Sequence, residues 1–421
     1  MVQLITILLT FFTLFVPTVQ GAEKSDKPYK RSSVIKSYRT SMKEKNFVQA
    51  RQVLLDAMRQ HPEATADPQL YRYKLDALDQ LISAENRKIY LNAKPDTLSF
   101  FNYIYELHHT GLQCDSVEQL HLATRHAQGK KAQPKLRNGV AQTLLPHRKN
   151  LLNAGKYHYR KKAYADAYRF LNMYAETKNA DIFTDTRGNI LLSDPDDLVE
   201  VSVLATLSAY ASNNYPGVMT YLTESLQDST LRPQLLEIGV KTCAALTDTT
   251  RMVQLLEQGF QEYPDVDHFY ATLVKHYNQH GRYEQALQRV QRMTTLHPQQ
   301  RDYWYVTGTE LILLQRHDEA LQAFQQCVDI KADDAEAWAA IGNIYLQQAH
   351  LAYEQFNLPK SHPDYNHQKN SITQAYRDAC NAFEQARKFD ENNTSLWLDG
   401  LREIYFKLNR GKALRALEKL Q

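Results

Sequence analysis

The sequence has 421 residues, enough for several conventional domains, and a formal net charge of +3 at pH 7. A charge this small does not by itself indicate a nucleic-acid-binding protein. Only 14 residues are glycine, helical periodicity extends over long stretches, and the alternating patterns typical of strands are few. The composition therefore predicts an all-α chain in which successive helices pack against their neighbours.

The N-terminal segment has the features of an export signal. Residues Leu4–Val16 are almost wholly apolar, and Val19-Gln20-Gly21 provides small residues for cleavage before Ala22. The apolar run is shorter than the about 20 residues of a membrane span. Because lysines and arginines follow the run and none precedes it, an uncleaved membrane anchor stays open as the alternative. We predict a signal peptide over residues 1–21 and an exported protein, periplasmic or in the cell envelope.

Beyond this segment, much of the sequence falls into units of 34 residues, each with two helical patterns. The first of these units, residues 31–64, is degenerate. Residues 68–146 contain helical segments without a consistent register. The array is clearest towards the C-terminal half. The units are residues 31–64, 148–181, 199–232, 233–266, 267–300 and 301–334, of which the last four follow one another in one register.

The stretch from Asp267 to Tyr345 carries a recognisable pattern. The first helices read Tyr270-x-x-Leu273-Val274-x-x-Tyr277, Trp304-x-x-Thr307-Gly308-x-x-Leu311 and Trp338-x-x-Ile341-Gly342-x-x-Tyr345. The pattern resembles the tetratricopeptide repeat (TPR), W-x2-L-G-x2-Y followed by A, F and P. The resemblance implies a helix-turn-helix solenoid, here of the exported bacterial type. Large residues at positions 4 and 11 form an apolar stripe, and we expect Trp304 and Trp338 to lie in the core.

Two insertions interrupt the register. Residues 182–197 predict a loop, with a hairpin about Gly188 as one form of it. The repeat opened by Trp338 resumes near Phe383, so that residues 346–375 form an insert that splits this repeat near the C-terminus. The insert is either a loop on a binding face or a longer helix pair with a tolerated loop. Apart from the signal peptide, we predict an N-terminal helical region over 22–147 and a TPR array over 148–421.

The residues that usually carry chemistry do not form a recognisable site. No Gly-rich phosphate loop, G-x-S-x-G or H-E-x-x-H is present. His276 and His280 have metal-ligand spacing on one helix, but nothing in the sequence supplies a third ligand. The four cysteines are widely spaced, and Cys243 and Cys327 fall at apolar repeat positions, which predicts buried free thiols. We therefore predict no catalytic residues, metal or cofactor, and no enzyme.

The most unusual feature is a basic stretch. Residues 119–165 contain eleven lysines and arginines and no Asp or Glu. Such a stretch is either a solvated surface or a site for an anionic partner. The TPR resemblance implies that positions 2, 5, 9, 12 and 13 of each first helix line a concave groove. In the unit 148–181 these positions include Lys149, Lys156, Tyr159 and Arg160.

The equivalent positions in the unit 301–334 include Asp302, Tyr305 and Ile312, so we expect a groove that is basic towards one end and acidic to apolar towards the other. Asn343 occupies position 9 of its repeat, but position 5 is Ala339 rather than the lysine that clamps a carboxylate in some members of the family. Binding of a chaperone tail is therefore not expected.

These observations favour a non-enzymatic TPR scaffold or adaptor that binds a protein or peptide partner, most simply an acidic one, through its concave groove. The partner-binding residues predicted for it are Lys149, Lys156, Tyr159, Arg160 and Tyr305. The alternative is a binder of an anionic envelope polymer or glycan that uses the basic stretch 119–165. A nucleic-acid partner is not predicted, and membrane association is predicted only if the signal segment is not cleaved.

Overall fold

The computed structural model describes residues 29–178, 180–184, 192 and 198–418. The predicted signal peptide lies outside the described residues, and so do Gly188 and most of the predicted insertion 182–197. Within the described ranges, no helix combines the length and the apolar character that crossing a membrane requires. The chain divides into two compact units, one ending at Leu246 and one beginning at Thr247.

The first unit consists of helices that differ widely in length. They are α1 (Arg31–Lys43), α2 (Phe47–Gln60), α3 (Pro62–Thr65), α4 (Pro68–Tyr90), α5 (Thr97–Ala127), α6 (Arg137–Leu144), α7 (Arg148–Arg160), α8 (Tyr164–Lys178), α9 (Leu198–Ala211), α10 (Tyr215–Ser225) and α11 (Arg232–Ala245), with short 3₁₀ turns at Leu145–His147 and Asp181–Phe183. Leu78 of α4, Leu107 of α5 and Leu151 of α7 are fully buried in one apolar core. The long pair α4 and α5 occupies the region where the sequence has no repeat register.

A carboxylate from α5 fixes the start of α6. The Glu118 oxygens accept the backbone N–H groups of Lys135 at 2.7 Å, Leu136 at 2.9 Å and Arg137 at 3.1 Å. These groups lie at a helix N-terminus, where donors have no partner within the helix and a negative charge is stabilising. Glu118 therefore closes the loop between α5 and α6 against the body of the unit.

The second unit is more regular. Its helices are α12 (Thr249–Glu262), α13 (Asp267–Gln279), α14 (Tyr283–Leu296), α15 (Arg301–Leu313), α16 (His317–Ile330), α17 (Ala335–Gln355), α18 (Tyr365–Phe389), α19 (Leu398–Lys407) and α20 (Gly411–Glu418), with a 3₁₀ turn at Thr394–Leu396. In the repeats 267–300 and 301–334, the first helix begins at position 1 and the second at position 17. Within this unit each helix packs against the next one along the chain, as the all-α repeat prediction requires.

The small residue at position 8 allows two helices to pack closely. A Cβ atom on Gly308 would lie 2.6 Å from the Phe324 ring, and one on Gly155 would lie 2.6 Å from Cγ of Leu171. Both partners stand at position 24 of the same repeat. Because real Cβ contacts are longer than this, the ring and the leucine occupy space that only glycine leaves open.

The insert 346–375 is mostly helical. Helix α17 continues to Gln355 and α18 begins at Tyr365, which leaves only residues 356–364 as a loop. Of the two alternatives, the structure thus has the longer helix pair. The repeat still closes as the pattern predicts, because the Phe383 ring lies against Gly342, whose Cβ would be 2.9 Å away.

The expectation that Trp304 and Trp338 are core residues is wrong in part. Both indoles are only partly buried. Each Nε1 donates to a backbone carbonyl before its helix, that of Pro298 at 2.9 Å and that of Ala332 at 3.0 Å. The indoles therefore cover helix ends with one edge in solvent, whereas Trp397 is 1% exposed and fully in the core.

Candidate partner-binding surface

Helix α7 carries four of the five predicted partner-binding residues. Lys149, Lys156 and Arg160 follow one another at spacings of seven and four residues, which places them on one face of the helix. Lys149 and Arg160 are exposed, and Arg160 Nε donates to the carbonyl of Lys156 at 3.2 Å. Lys156 Nζ lies 2.6 Å from a carboxylate oxygen of Glu200 on α9. The three cations share a face, and one of them already has an acidic neighbour.

Tyr159 borders the same face. Its ring meets that of Tyr164 edge-on, with centroids 5.7 Å apart. Burial raises the pKa of Tyr159, with a smaller contribution from Tyr164. The phenol therefore stays neutral at physiological pH and offers a partner a flat apolar surface with a hydrogen-bonding tip.

The basic stretch 119–165 is less uniform in space than in sequence. Arg137 makes two contacts with Asp115, at 2.8 and 3.0 Å. Arg148 is 3% exposed, and its guanidinium lies 3.9 Å from the centroid of the Tyr174 ring. Asp115 and Glu200 thus supply counter-charges to a stretch that contains no Asp or Glu of its own. The carboxylates come from residues outside the run.

In the second unit, first helices α15 and α17 form a cleft with a volume of about 250 Å³. Ile312, Phe324, Ala340 and Ile344 give it an apolar floor. The cleft is also lined by Thr309, Asn343 and Gln347, all three of them exposed. The lining residues come from positions 9, 12 and 24 of one repeat and positions 6, 9, 10 and 13 of the next. A side-chain amide offers both donors and an acceptor, so the rim can bind backbone groups of a peptide.

The fifth predicted residue, Tyr305, lies beside this cleft without lining it. Its ring packs edge-on against Phe324 at 5.4 Å, and the Arg301 guanidinium lies 4.4 Å from its centroid. Tyr305 thus supports the floor of the cleft. Sequence reasoning did not select Ala340, Ile344 and Gln347, although their repeat positions 6, 10 and 13 on a first helix are the signal that could have found them.

The two histidines with metal-ligand spacing lie side by side at the end of α13. The rings of His276 and His280 lie 4.3 Å apart, and His280 Nδ1 is 2.8 Å from the carbonyl of His276. In the part of the chain that the structure describes, no group of three or more His, Cys, Asp or Glu could hold a metal ion. Cys114, Cys243, Cys327 and Cys380 are free and buried, as expected of core residues.

The turn between the two helices has the same backbone conformation in every 34-residue unit. In all six 34-residue units, the residue at position 15 has a left-handed backbone: Lys45 (φ 58°), Lys162 (59°), Asn213 (57°), Thr247 (58°), Gly281 (67°) and Gln315 (59°). In five of them the N–H at position 16 donates to the carbonyl at position 11, at 2.8–3.0 Å. This bond and the left-handed residue form the Schellman motif that ends a helix.

The helix pairs have the helix-turn-helix fold that the TPR pattern predicts. The shared turn confirms the register, and the contacts between positions 8 and 24 confirm the helix packing that the TPR pattern predicts. In this fold the first helices α7, α15 and α17 carry Lys156, Ile312 and Asn343, respectively.

No protein-family model matches the sequence, and comparison with the curated proteins gives no match. Among solved structures, MamA is 17% identical, with 47% of this chain and 94% of that chain covered and a TM-score of 0.31. YrrB, described as a TPR protein with an unusual peptide-binding site, is 12% identical, with 47% and 89% covered and a TM-score of 0.32. The C-terminal part of a TPR repeat-containing protein from Cytophaga hutchinsonii is 11% identical, with 64% and 93% covered and a TM-score of 0.38.

Proposed function

We propose that this protein is a non-enzymatic TPR scaffold that binds a protein or peptide partner through the first helices of its repeats. The observation that carries the proposal is the cleft between α15 and α17. Its floor is apolar at Ile312 and Ile344, while Asn343 and Gln347 present exposed amides beside that floor. An extended peptide supplies apolar side chains for such a floor and backbone groups for such amides.

The test for the cleft uses a partner captured from an envelope extract and then measured by calorimetry. Asn343→Ala should weaken binding several-fold, because a hydrogen bond of this kind contributes about 0.5–1.5 kcal/mol. Gln322→Ala removes an exposed amide from the second helix α16 and serves as the control. Equal affinities of the two variants would contradict a role of the cleft.

We further propose that the partner is acidic, because Lys149, Lys156 and Arg160 share one face of α7. Replacing all three with Glu should weaken binding by at least about tenfold, which corresponds to 1.4 kcal/mol. The salt dependence of binding should fall at the same time, since surface charges act within a Debye length of about 8–10 Å. Calorimetry at two salt concentrations measures both effects.

The matched control is charge reversal at Lys130, Lys131 and Lys135, which lie between α5 and α6. This triple variant should have a smaller effect than the reversal on α7. If both triple variants weaken binding equally, the basic stretch acts as a general anionic-polymer surface, which is the second candidate function. If neither does, the stretch is a solvated surface.

The ion pair with Glu200 gives a test in the opposite direction. Because Glu200 competes with a partner's carboxylate for Lys156, Glu200→Gln should strengthen binding of poly-L-glutamate, used as a defined acidic probe. The same change in the presence of Lys156→Ala should have little effect. Weaker binding by Glu200→Gln alone would show that Lys156 does not meet the acidic probe.

We also propose that the protein is exported, which rests on the apolar run Leu4–Val16 and the small residues before Ala22. N-terminal sequencing of the protein purified from cells should begin at or near Ala22. An intact Met1 in the cytoplasmic fraction would contradict export.

A further inference from the structure

The inserted residues of the split repeat form a second cleft, separate from the one between α15 and α17. It has a volume of about 470 Å³ and lies between the end of α17, the first half of α18 and the turn that joins α19 to α20. Sites for small molecules commonly have volumes of about 300–1,000 Å³. The cleft exists because the insert lengthens α17 and α18 beyond the ordinary repeat.

Aromatic rings form one wall of this cleft. Tyr353, Phe356, Tyr365 and Tyr376 all line it. The rings of Phe356 and Tyr365 lie 5.2 Å apart, and Tyr353 is 54% exposed although it is a large side chain. Such a wall offers a flat ligand several faces and edges for stacking.

The charges that line the cleft are all positive. Lys369, Arg377, Lys407 and Arg410 contribute to it, and no Asp or Glu does so among the described residues. Lys407 Nζ lies 4.6 Å from the centroid of the Tyr353 ring, so a cation stands directly beside the aromatic wall. This arrangement is complementary to an anion.

Two carboxylates on the surrounding helices have cationic or histidine partners. Glu384 of α18 lies 3.3 Å from Arg410, and Glu403 of α19 is paired with His350. Arg410 is therefore partly neutralised. Lys369, Arg377 and Lys407 make no ion pair with any residue that the structure describes.

The buried hydroxyl of Tyr376 is a second observation, independent of the charges, that indicates a ligand. Tyr376 is 4% exposed, and its hydroxyl has no hydrogen-bond partner within the described residues. A buried hydroxyl without a partner is unfavourable, whereas donation to an anionic oxygen is among the stronger hydrogen bonds. An anionic ligand in the cleft would supply the missing acceptor.

We propose that this cleft binds a small anion that carries a flat apolar ring system, such as an aryl carboxylate or aryl sulfonate. The ring lies against Tyr353 and Phe356, and the anionic group meets Lys369 and Lys407 and accepts from the Tyr376 hydroxyl. This inference does not depend on the proposed scaffold function, because the cleft shares no lining residue with the partner-binding surfaces.

The test titrates the full chain with 8-anilinonaphthalene-1-sulfonate, an aryl sulfonate whose fluorescence rises on binding. We expect saturable binding at one site, and Lys369→Ala with Lys407→Ala should raise Kd by about tenfold or more. The control, Lys275→Ala with Lys331→Ala, removes two exposed lysines of the same unit outside the cleft and should leave Kd unchanged. Absent saturation, or equal Kd values for both double variants, would overturn the proposal.

Tyr376→Phe separates ligand binding from folding. It should raise Kd for the same probe several-fold, because the charged hydrogen bond is lost. The melting temperature without ligand should stay the same or rise, because the hydroxyl has no partner in the protein to lose. Tyr345→Phe, outside the cleft, is the control for Kd. An unchanged Kd for Tyr376→Phe would contradict the assigned hydroxyl.

Competition against the bound probe defines the ligand class. Naphthalene-2-sulfonate should displace it, whereas neutral 2-naphthalenemethanol or inorganic sulfate at the same concentration should not. If 2-naphthalenemethanol or inorganic sulfate displaced the probe as effectively as naphthalene-2-sulfonate does, the proposal that the ligand needs both a ring and a charge would be overturned. If poly-L-glutamate displaces the probe at a lower concentration, the occupant is an acidic chain and the small-anion proposal fails.

Discussion

The repeats 267–300 and 301–334 follow each other in one register but fill their interior differently. Positions 8 and 24 are Val274 and Val290 in the first repeat, and Gly308 and Phe324 in the second. Val290 is 0% exposed, Val274 is 9% exposed and Phe324 is 2% exposed, so both pairs belong to the core. The first repeat fills the space with two valine side chains, whereas the second fills it with one large ring opposite a glycine that has no side chain. The register therefore determines that positions 8 and 24 are in contact, while the two side chains together determine how the core volume between them is filled.

The strongest test of this comparison exchanges the pair. Gly308→Val should destabilise the protein by about 3 kcal/mol, because its Cβ would meet the Phe324 ring and overpacking costs about 1–3 kcal/mol or more. Combining it with Phe324→Val reproduces the pair of the preceding repeat and should recover much of the loss. Urea unfolding measures the three free energies. Simple additivity of the two changes would show that the positions are not coupled.

Position 15 differs in a second way, since it is Gly281 in the first repeat and Gln315 in the second, both with a left-handed backbone. Gly281→Ala should cost about 1–2 kcal/mol, because a Cβ disfavours this conformation. No atom lies within 4 Å of that added Cβ, so the cost is conformational. Gln315→Gly should be neutral or stabilising. Thermal melts measure the change in melting temperature for each variant. A lower melting temperature in both variants would contradict the shared turn.

Position 4 contrasts a hydroxyl without a partner with an indole that has one. Trp304 Nε1 donates to the carbonyl of Pro298, whereas the buried hydroxyl of Tyr270 has no partner within the described residues. Trp304→Phe should therefore cost about 1 kcal/mol, and Tyr270→Phe should be neutral or stabilising. Urea unfolding checks both. A larger loss for Tyr270→Phe would mean that its hydroxyl is satisfied in solution.

Position 10 should give the two repeats opposite pH dependences. Burial lowers the pKa of His276, and His280 and Arg282 add to this effect. The unfolded chain then binds the proton more readily, so stability is full above a pH of about 6.5 and is lost as pH falls towards the lower folded pKa.

Glu310 at the same position behaves in the reverse sense. Burial raises its pKa, although Asn278 donates to it at 2.6 Å and opposes the shift. Its contribution is therefore present below a pH of about 4.3 and is lost as pH rises through the raised folded pKa. The free energy of unfolding should be measured between pH 4 and 8. His276→Gln should reduce the loss of stability at low pH, and Glu310→Gln should reduce the loss of stability as pH rises. Slopes unchanged in both variants would contradict the assignment.

The sequence by itself determined the repeat architecture. The repeat pattern pairs position 8 with position 24, here Gly308 with Phe324, and it also identifies Phe383 as the partner of Gly342 across an insert. These features are predictable because helical periodicity and local turn geometry depend on nearby residues. The repeat positions also place Lys149, Lys156 and Arg160 on one face of α7. Their role in binding and the export of the chain stay predictions.

The tertiary structure alone decided which charges and rings have partners. Glu200 meets Lys156 and Asp115 meets Arg137 although both carboxylates lie outside the basic stretch, and Trp304 keeps an exposed edge. The cleft beside Tyr376 likewise requires α17, α18 and the turn after α19 to come together. Such contacts join residues far apart in the chain, and a single sequence records neither their distances nor their desolvation. Local spacing thus sets the helices and their faces, while charge pairing and cavities follow from how those faces meet.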